Sequence, residues 1–168
     1  MRRRLIFASA SLAISSVVPQ AISATESNDA YQAQFAVHHV ARSLAAISEL
    51  QARAVQGLSS RDSEIYELLG NSTALSVLYL AHNRSPYATE ALVDLLYLPL
   101  DGSLSGEVGC AIIKKGRPAR SAIQKRKAPP VYLCASDRPP RCRSHAEVQT
   151  RFGQLSAAID LGVLGECR

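Results

Sequence analysis

LVDLLYLPLDGSLSGEVGCAIIKKGRPARSAIQKRKAPPVYLC, residues 92–134, decides how the rest of the chain is read. It joins two apolar runs through a turn, places Cys110 in the second run, and reaches Cys134 after a basic segment. Just upstream, Ser85-Pro86 reads as a helix start: the serine can cap, and proline at the first helical position gives up an N–H that has no partner there. From Tyr87 to Leu98 the run is apolar over a wide arc, with Ala88, Ala91, Leu92, Leu95 and Leu96 on one side. That pattern predicts a central, largely buried helix ended by Pro99. Leu100-Asp101-Gly102-Ser103 reads as a turn. Ser105 can then cap a short helix with Glu107 in its first turn, Val108, Ala111 and Ile112 facing inward, and Lys114 and Lys115 near its negative end before Gly116. Residues 117–130 lack periodicity and end in two prolines, so they read as a loop with at most one helical turn around Ala122. Val131-Tyr132-Leu133 is short, apolar and β-prone, at most an isolated strand.

Working outward, Ala33, Val37, Val40, Leu44, Ile47, Gln51 and Val55 share one face of a long amphipathic helix from Asp29 to about Gln56, with Tyr31, Phe35 and Ala41 beside that face. Ser27 or Asn28 can cap its start, and Gly57 marks its end. Ser59 and Ser60 open a second helical region whose stripe of Ile65, Leu68, Leu69, Leu75, Leu78 and Tyr79 reaches about Ala81, unless Gly70-Asn71 splits it. Near the C-terminus, Ser144 and Glu147 have the spacing of a capping box, and Val148, Phe152, Leu155 and Ile159 follow at steps of four, three and four up to Gly162. The fold class expected from these elements is all-α: a compact bundle of four to six helices with two disulfides.

The first residues read as an address. Arg2, Arg3 and Arg4 precede an apolar run from Leu5 to Val18, and small residues at Ala21, Ser23 and Ala24 follow Pro19. About 14 apolar residues are fewer than the roughly 20 a membrane span needs, so the reading is a cleaved signal peptide, residues 1–24, and no membrane insertion. Residues 25–168 then form a single domain. Loss of three arginines takes the formal charge from +5 to +2. What remains is unevenly placed: residues 25–110 hold four basic and ten acidic side chains, whereas residues 111–143 hold ten basic and one acidic, −6 followed by +9.

Cys110, Cys134, Cys142 and Cys167 all fall in the mature part, an even count in an exported chain that implies two disulfides. Three pairings are possible. Cys134 with Cys142 and Cys110 with Cys167 is the favoured one, closing a proline-stiffened loop and tying the tail to the central region; Cys110 with Cys134 is the rival. No CxxC pair supports a zinc site.

No motif for catalysis, metal or cofactor emerges. Glu64, Glu67, Glu90 and Asp94 sit at helix-face spacing among solvated residues; Glu90 and Asp94, one turn apart, could act as an acid pair but read as a charged outer face. His38 and His39 point about 100° apart on a helix and cannot chelate one ion together. His82 and His145 read as capping or solvated residues. No GxSxG elbow surrounds a serine. The basic clusters Lys114-Lys115 and Lys125-Arg126-Lys127 lack the aromatic interleaving of single-strand binders, so nucleic acid is not the expected partner.

An N-terminal signal, a helical body, LLYLPLDGSLSGEVGCAIIKKG followed by a cysteine, and Cys142 to Val148 opening a last helix together resemble the small exported immunity proteins of bacterial polymorphic-toxin and type VI secretion systems. Among these the likeness is to the immunity family numbered fifty-seven, and more distantly to the helical amidase-immunity proteins. It spans residues 92–148. The resemblance implies a periplasmic or secreted, all-α, non-catalytic protein that binds a cognate protein toxin and blocks it, and it carries over no contact residue. The alternative expectation is an exported structural or envelope-associated binding domain. From the charge split, the expected contact is a basic surface of Lys114, Lys115, Lys125, Arg126, Lys127, Arg138 and Arg141, with the acidic helices before it as the other choice.

Overall fold

The structure, a computed structural model, describes residues 18–54, 57, 59–134, 141–163 and 167. Residues 1–17 of the expected signal peptide and Arg138 lie outside the described residues. The described residues form seven helices and no strand: α1 (Val18–Arg53), α2 (Ser60–His82), α3 (Pro86–Leu95), α4 (Gly102–Lys115), α5 (Arg117–Lys125), α6 (Val131–Cys134) and α7 (His145–Leu161). The all-α expectation holds, with more helices than the four to six expected.

The helix that organises the bundle is α3. Ser85 caps it by accepting a hydrogen bond from the Ala88 N–H, and Pro86 occupies its first turn. Every residue from Ala91 to Leu98 is buried. A helix buried over most of its circumference must be covered by several neighbours, and α1, α2, α4 and α5 each pack on it. Against α3 lies an antiparallel pair, α1 and α2, whose register is fixed by side chains: Tyr79 Oη donates to Gln32 Oε1 at 2.8 Å, Ser72 hydrogen-bonds His39, and Gln51 reaches Tyr66. On the other side, α7 packs across α4 and α5. Tyr97, fully buried, holds the start of α7 through a hydrogen bond to His145 Nδ1 and an edge contact with Phe152, ring centroids 5.9 Å apart. His145, read from sequence as a capping or solvated residue, is thus a packing residue.

Both disulfides take the favoured pairing, Cys110–Cys167 and Cys134–Cys142. The capping box of α7 is present, and Gly162 ends that helix in the left-handed region at φ 64°.

Several local expectations are corrected. α1 does not start at Ser27 or Asn28 but runs through them, because the preceding Ala-Ile-Ser-Ala-Thr-Glu is compatible with helix and a capping residue marks a start only where the chain before it leaves helical geometry. α2 is continuous through Gly70-Asn71, its packing against α1 outweighing the roughly 1 kcal/mol a mid-helix glycine costs. α4 starts at Gly102, capped by Asp101 rather than Ser105; Asp101 Oδ1 accepts from the Leu104 N–H at 2.8 Å. Residues 117–125, expected as loop, form α5. In nine residues only Ala119, Ala122 and Ile123 can show the inward stripe, too few to stand out against five polar neighbours, yet all three are buried. Val131 to Cys134 is a helical turn, not a strand. With no strand beside it, its N–H groups turn to the nearest carbonyl: Leu133 and Cys134 both donate to Pro130 O, at 3.1 and 2.9 Å.

Candidate functional site

Asp94, expected on a solvated face, is only 2% exposed and is the most deeply buried charged residue described. α3 turns it inward, α5 brings Arg126 at its C-cap to 2.7 Å from Oδ1, and α6 brings Tyr132, whose hydroxyl donates to Oδ2 at 2.8 Å. His38 on α1 meets the Tyr132 ring edge-on, 5.6 Å between centroids. The Cys134–Cys142 bond anchors α6, which has too few residues to be stable alone. Glu90, the other member of the sequence-level acid pair, is exposed, so the two carboxyls share no cleft. The arrangement is a polar clasp joining three helices: a carboxylate taken from water is tolerable because Oδ2 accepts a hydrogen bond and Oδ1 lies against the Arg126 charge.

Burial pushes the Asp94 carboxyl up from 3.8 to about 6, against the pull of Tyr132 and Arg126; the Tyr132 hydroxyl is driven up by burial and then by the Asp94 charge. In the unfolded chain the carboxyl loses its proton near its ordinary value, so between pH 4 and 6 the folded chain holds a proton that the unfolded chain has released. Stability therefore falls as pH rises through this window, by on the order of 3 kcal/mol across it. Urea midpoints measured at pH 4.5 and pH 7 should show the chain more stable at the lower value once other carboxylates are accounted for, and Asp94→Asn should remove that slope. A slope unchanged in Asp94→Asn would show that the clasp does not titrate as derived.

The basic residues expected to form one surface are spread over several environments among the described residues. Arg126 is committed to Asp94, and Lys115, its pKa lowered by burial, donates to the Asn83 carbonyl. Lys114 and Arg141 are exposed but line different grooves, Lys114 between α2 and α4, Arg141 beside Leu44, Tyr66 and Pro99. Lys125 and Lys127 are exposed. What the tertiary structure gathers instead is apolar. On α2 the buried face is Thr73, Val77 and Leu80, and much of the stripe read from sequence points out: Leu68 is 67% exposed, Leu75 65% and Leu78 54%. Across from them on α1, Tyr31 and Phe35 are 69% and 61% exposed. Tyr31, Phe35, Ala36, Leu75 and Tyr79 line a groove of about 570 Å³ between the two helices, with His39, Ser76 and Gln32 as its polar members. A second groove, about 820 Å³, lies on the far side of α2 against α4, so Leu75 is a ridge between the two. Glu64 and Glu67 stand exposed beside Leu68 on the same helix.

The sequence held a signal for this surface. Leu69, Thr73, Val77 and Leu80 recur at helical spacing as well as Leu68, Leu75 and Leu78, so α2 is apolar on two faces and only one can pack on its own bundle. Exposed apolar patches of this kind mark interaction sites.

No family model, curated protein or solved structure matches the chain. Among the described residues no helix is long and apolar enough to cross a membrane, and no group of three or more His, Cys, Asp or Glu is placed to hold a metal ion.

Proposed function

We propose that the chain is an exported immunity protein that neutralises a cognate toxin by stoichiometric docking on the outer face of α1 and α2. The observation that carries this reading is the ridge and groove of Tyr31, Phe35, Leu68, Leu75 and Leu78, large apolar side chains held outward on a disulfide-stapled scaffold. Aromatic and aliphatic anchors presented on rigid helices suit a binding surface, because little conformational freedom is lost when a partner covers them. The partner's complementary surface is apolar with basic flanks. Residues 26–82 hold Arg42, Arg53 and Arg61 against Glu26, Asp29, Glu49, Asp62, Glu64 and Glu67, a net of −3. The two paired disulfides and the arginine-led apolar N-terminus support an oxidising destination.

The test is protection. Cells carrying the toxin encoded beside this gene should survive when the chain is exported with it. Phe35→Glu with Leu75→Glu should abolish protection and weaken binding about 100-fold or more, with helix content and melting temperature unchanged since both side chains are exposed. Lys125→Ser with Lys127→Ser should leave affinity within a few-fold of the parent and alter mainly the salt dependence of association. Protection by the double glutamate variant at the parent level would overturn the assignment of the surface. Absence of any toxin gene beside this one, or failure of the parent to protect, would overturn the immunity reading and leave the envelope-associated binding domain.

A further inference from the structure

The first turns of α4 face the start of α7 across a pocket of about 310 Å³, lined among others by Gly102, Ser105, Gly106, Arg143, Glu147 and Arg151. It is polar, unlike the grooves beside α2, and independent of them. Two guanidinium groups reach it. Arg143 Nη2 donates to the Leu100 carbonyl at 3.4 Å and Arg151 Nη1 to Gln154 Oε1 at 3.3 Å, both long contacts. Among the described residues neither has a carboxylate ion-pair partner, whereas Arg120 is paired with Asp160 and Arg126 with Asp94. The Arg151 Nε is buried and has no hydrogen-bond acceptor. A buried donor without an acceptor is costly, and a cationic one more so.

The one carboxylate at the pocket does not serve this need. Glu147 Oε2 accepts from both the Ser144 N–H and the Ser144 hydroxyl in the capping box, and those hydrogen bonds hold its pKa below the usual range. The opposite wall is shaped by glycine. On α4 beside the pocket, a Cβ on Gly109 would sit 2.6 Å from Arg151 Nη2, so this flexible end of the side chain would have to shift aside. A Cβ on Gly102 or Gly106 would meet nothing within 4 Å. Mid-helix glycine at 106 is thus unexplained by any contact within the chain, although it weakens the helix relative to alanine. It leaves open space above the backbone beside two arginines and the Ser105 hydroxyl.

We infer that this pocket binds a carboxylate group, with the Arg143 and Arg151 guanidinium groups that line it as charged donors and Ser105 as a hydroxyl donor. A guanidinium fork matches a planar two-oxygen acceptor. Two guanidinium groups and one committed carboxylate sum to +1, which a monoanion neutralises; a phosphate dianion would leave excess negative charge against Glu147. The carboxylate can come from a small free acid or from the C-terminus of a polypeptide.

Amide NMR of the full chain at constant ionic strength distinguishes these. Sodium acetate should shift Gly102, Ser105, Gly106 and Arg151 saturably, with a Kd on the order of 1–10 mM, and sodium phosphate should bind more weakly. Acetyl-glycylglycine binding tighter than acetate, with no binding by its amide, assigns the pocket to a chain terminus; equal affinity for acetate and acetyl-glycylglycine assigns it to small carboxylates. Arg151→Gln should weaken acetate about tenfold. Gly106→Ala, which fills the open space and favours helix, should weaken it as well in a folded chain. Absence of saturable shifts, tighter binding of phosphate than acetate, or acetate affinity unchanged in Gly106→Ala would overturn the inference.

Discussion

Replacing Cys110 and Cys167 together with alanine will destabilise the chain by about 4 kcal/mol, the largest single effect expected anywhere in it. The bond spans 57 residues of sequence, and in the chain-entropy account such a closure removes that much freedom from the unfolded state. Its position makes the loss structural as well. Cys110 lies on α4 and Cys167 follows α7, so the bond holds the end of the last helix to the middle of the bundle. The Cys134–Cys142 bond closes only eight residues, and its removal should cost about 2.5 kcal/mol by the same relation. For a domain of this size the difference amounts to several degrees of melting temperature. Thermal melts of the two double-alanine variants, with the parent measured in the presence and absence of reductant, check both values. Equal losses in the two variants, or a parent indifferent to reductant, would contradict the loop-length argument.

Arg126→Met should cost about 3 kcal/mol at pH 7.5. Removing one partner of a buried ion pair strands the other, a loss that runs to about 3–5 kcal/mol where both groups are buried. Here the lower figure applies because the arginine side chain keeps 27% of its surface in water while Asp94 keeps 3%. The cost depends on pH in a way that separates it from simple loss of packing. At pH 5 Asp94 is protonated, needs no counter-charge, and still has the Tyr132 hydroxyl beside it, so the penalty should shrink to about 1 kcal/mol. Asp94→Asn combined with Arg126→Met should be more stable at pH 7.5 than Arg126→Met alone, since the stranded charge is then absent. A penalty equal at both pH values would mean that Arg126 acts through its aliphatic stem rather than its charge.

These two effects also show which parts of the protein its sequence determines by itself. Periodicity, caps and breakers are local, and they located α3 with its Ser85-Pro86 start, α7 with its capping box and Gly162 stop, and the all-α class, because a helix obeys constraints only a few residues long. The favoured disulfide pairing also followed from the order of elements. α5 was missed because nine residues give the period too few repeats, and α6 because a β-prone tripeptide becomes a strand only if another strand lies beside it. Tertiary structure alone decided the rest. Glu90 and Asp94 look equivalent in sequence, four residues apart on one helix, yet one is solvated and the other lies where α3, α5 and α6 meet, because burial depends on what packs against a face. The same holds for Leu68, Leu75 and Leu78. Their periodicity shows that they share a face, but which of the two apolar faces of α2 is covered was settled by where α1, α3 and α4 lie, and the other stays exposed.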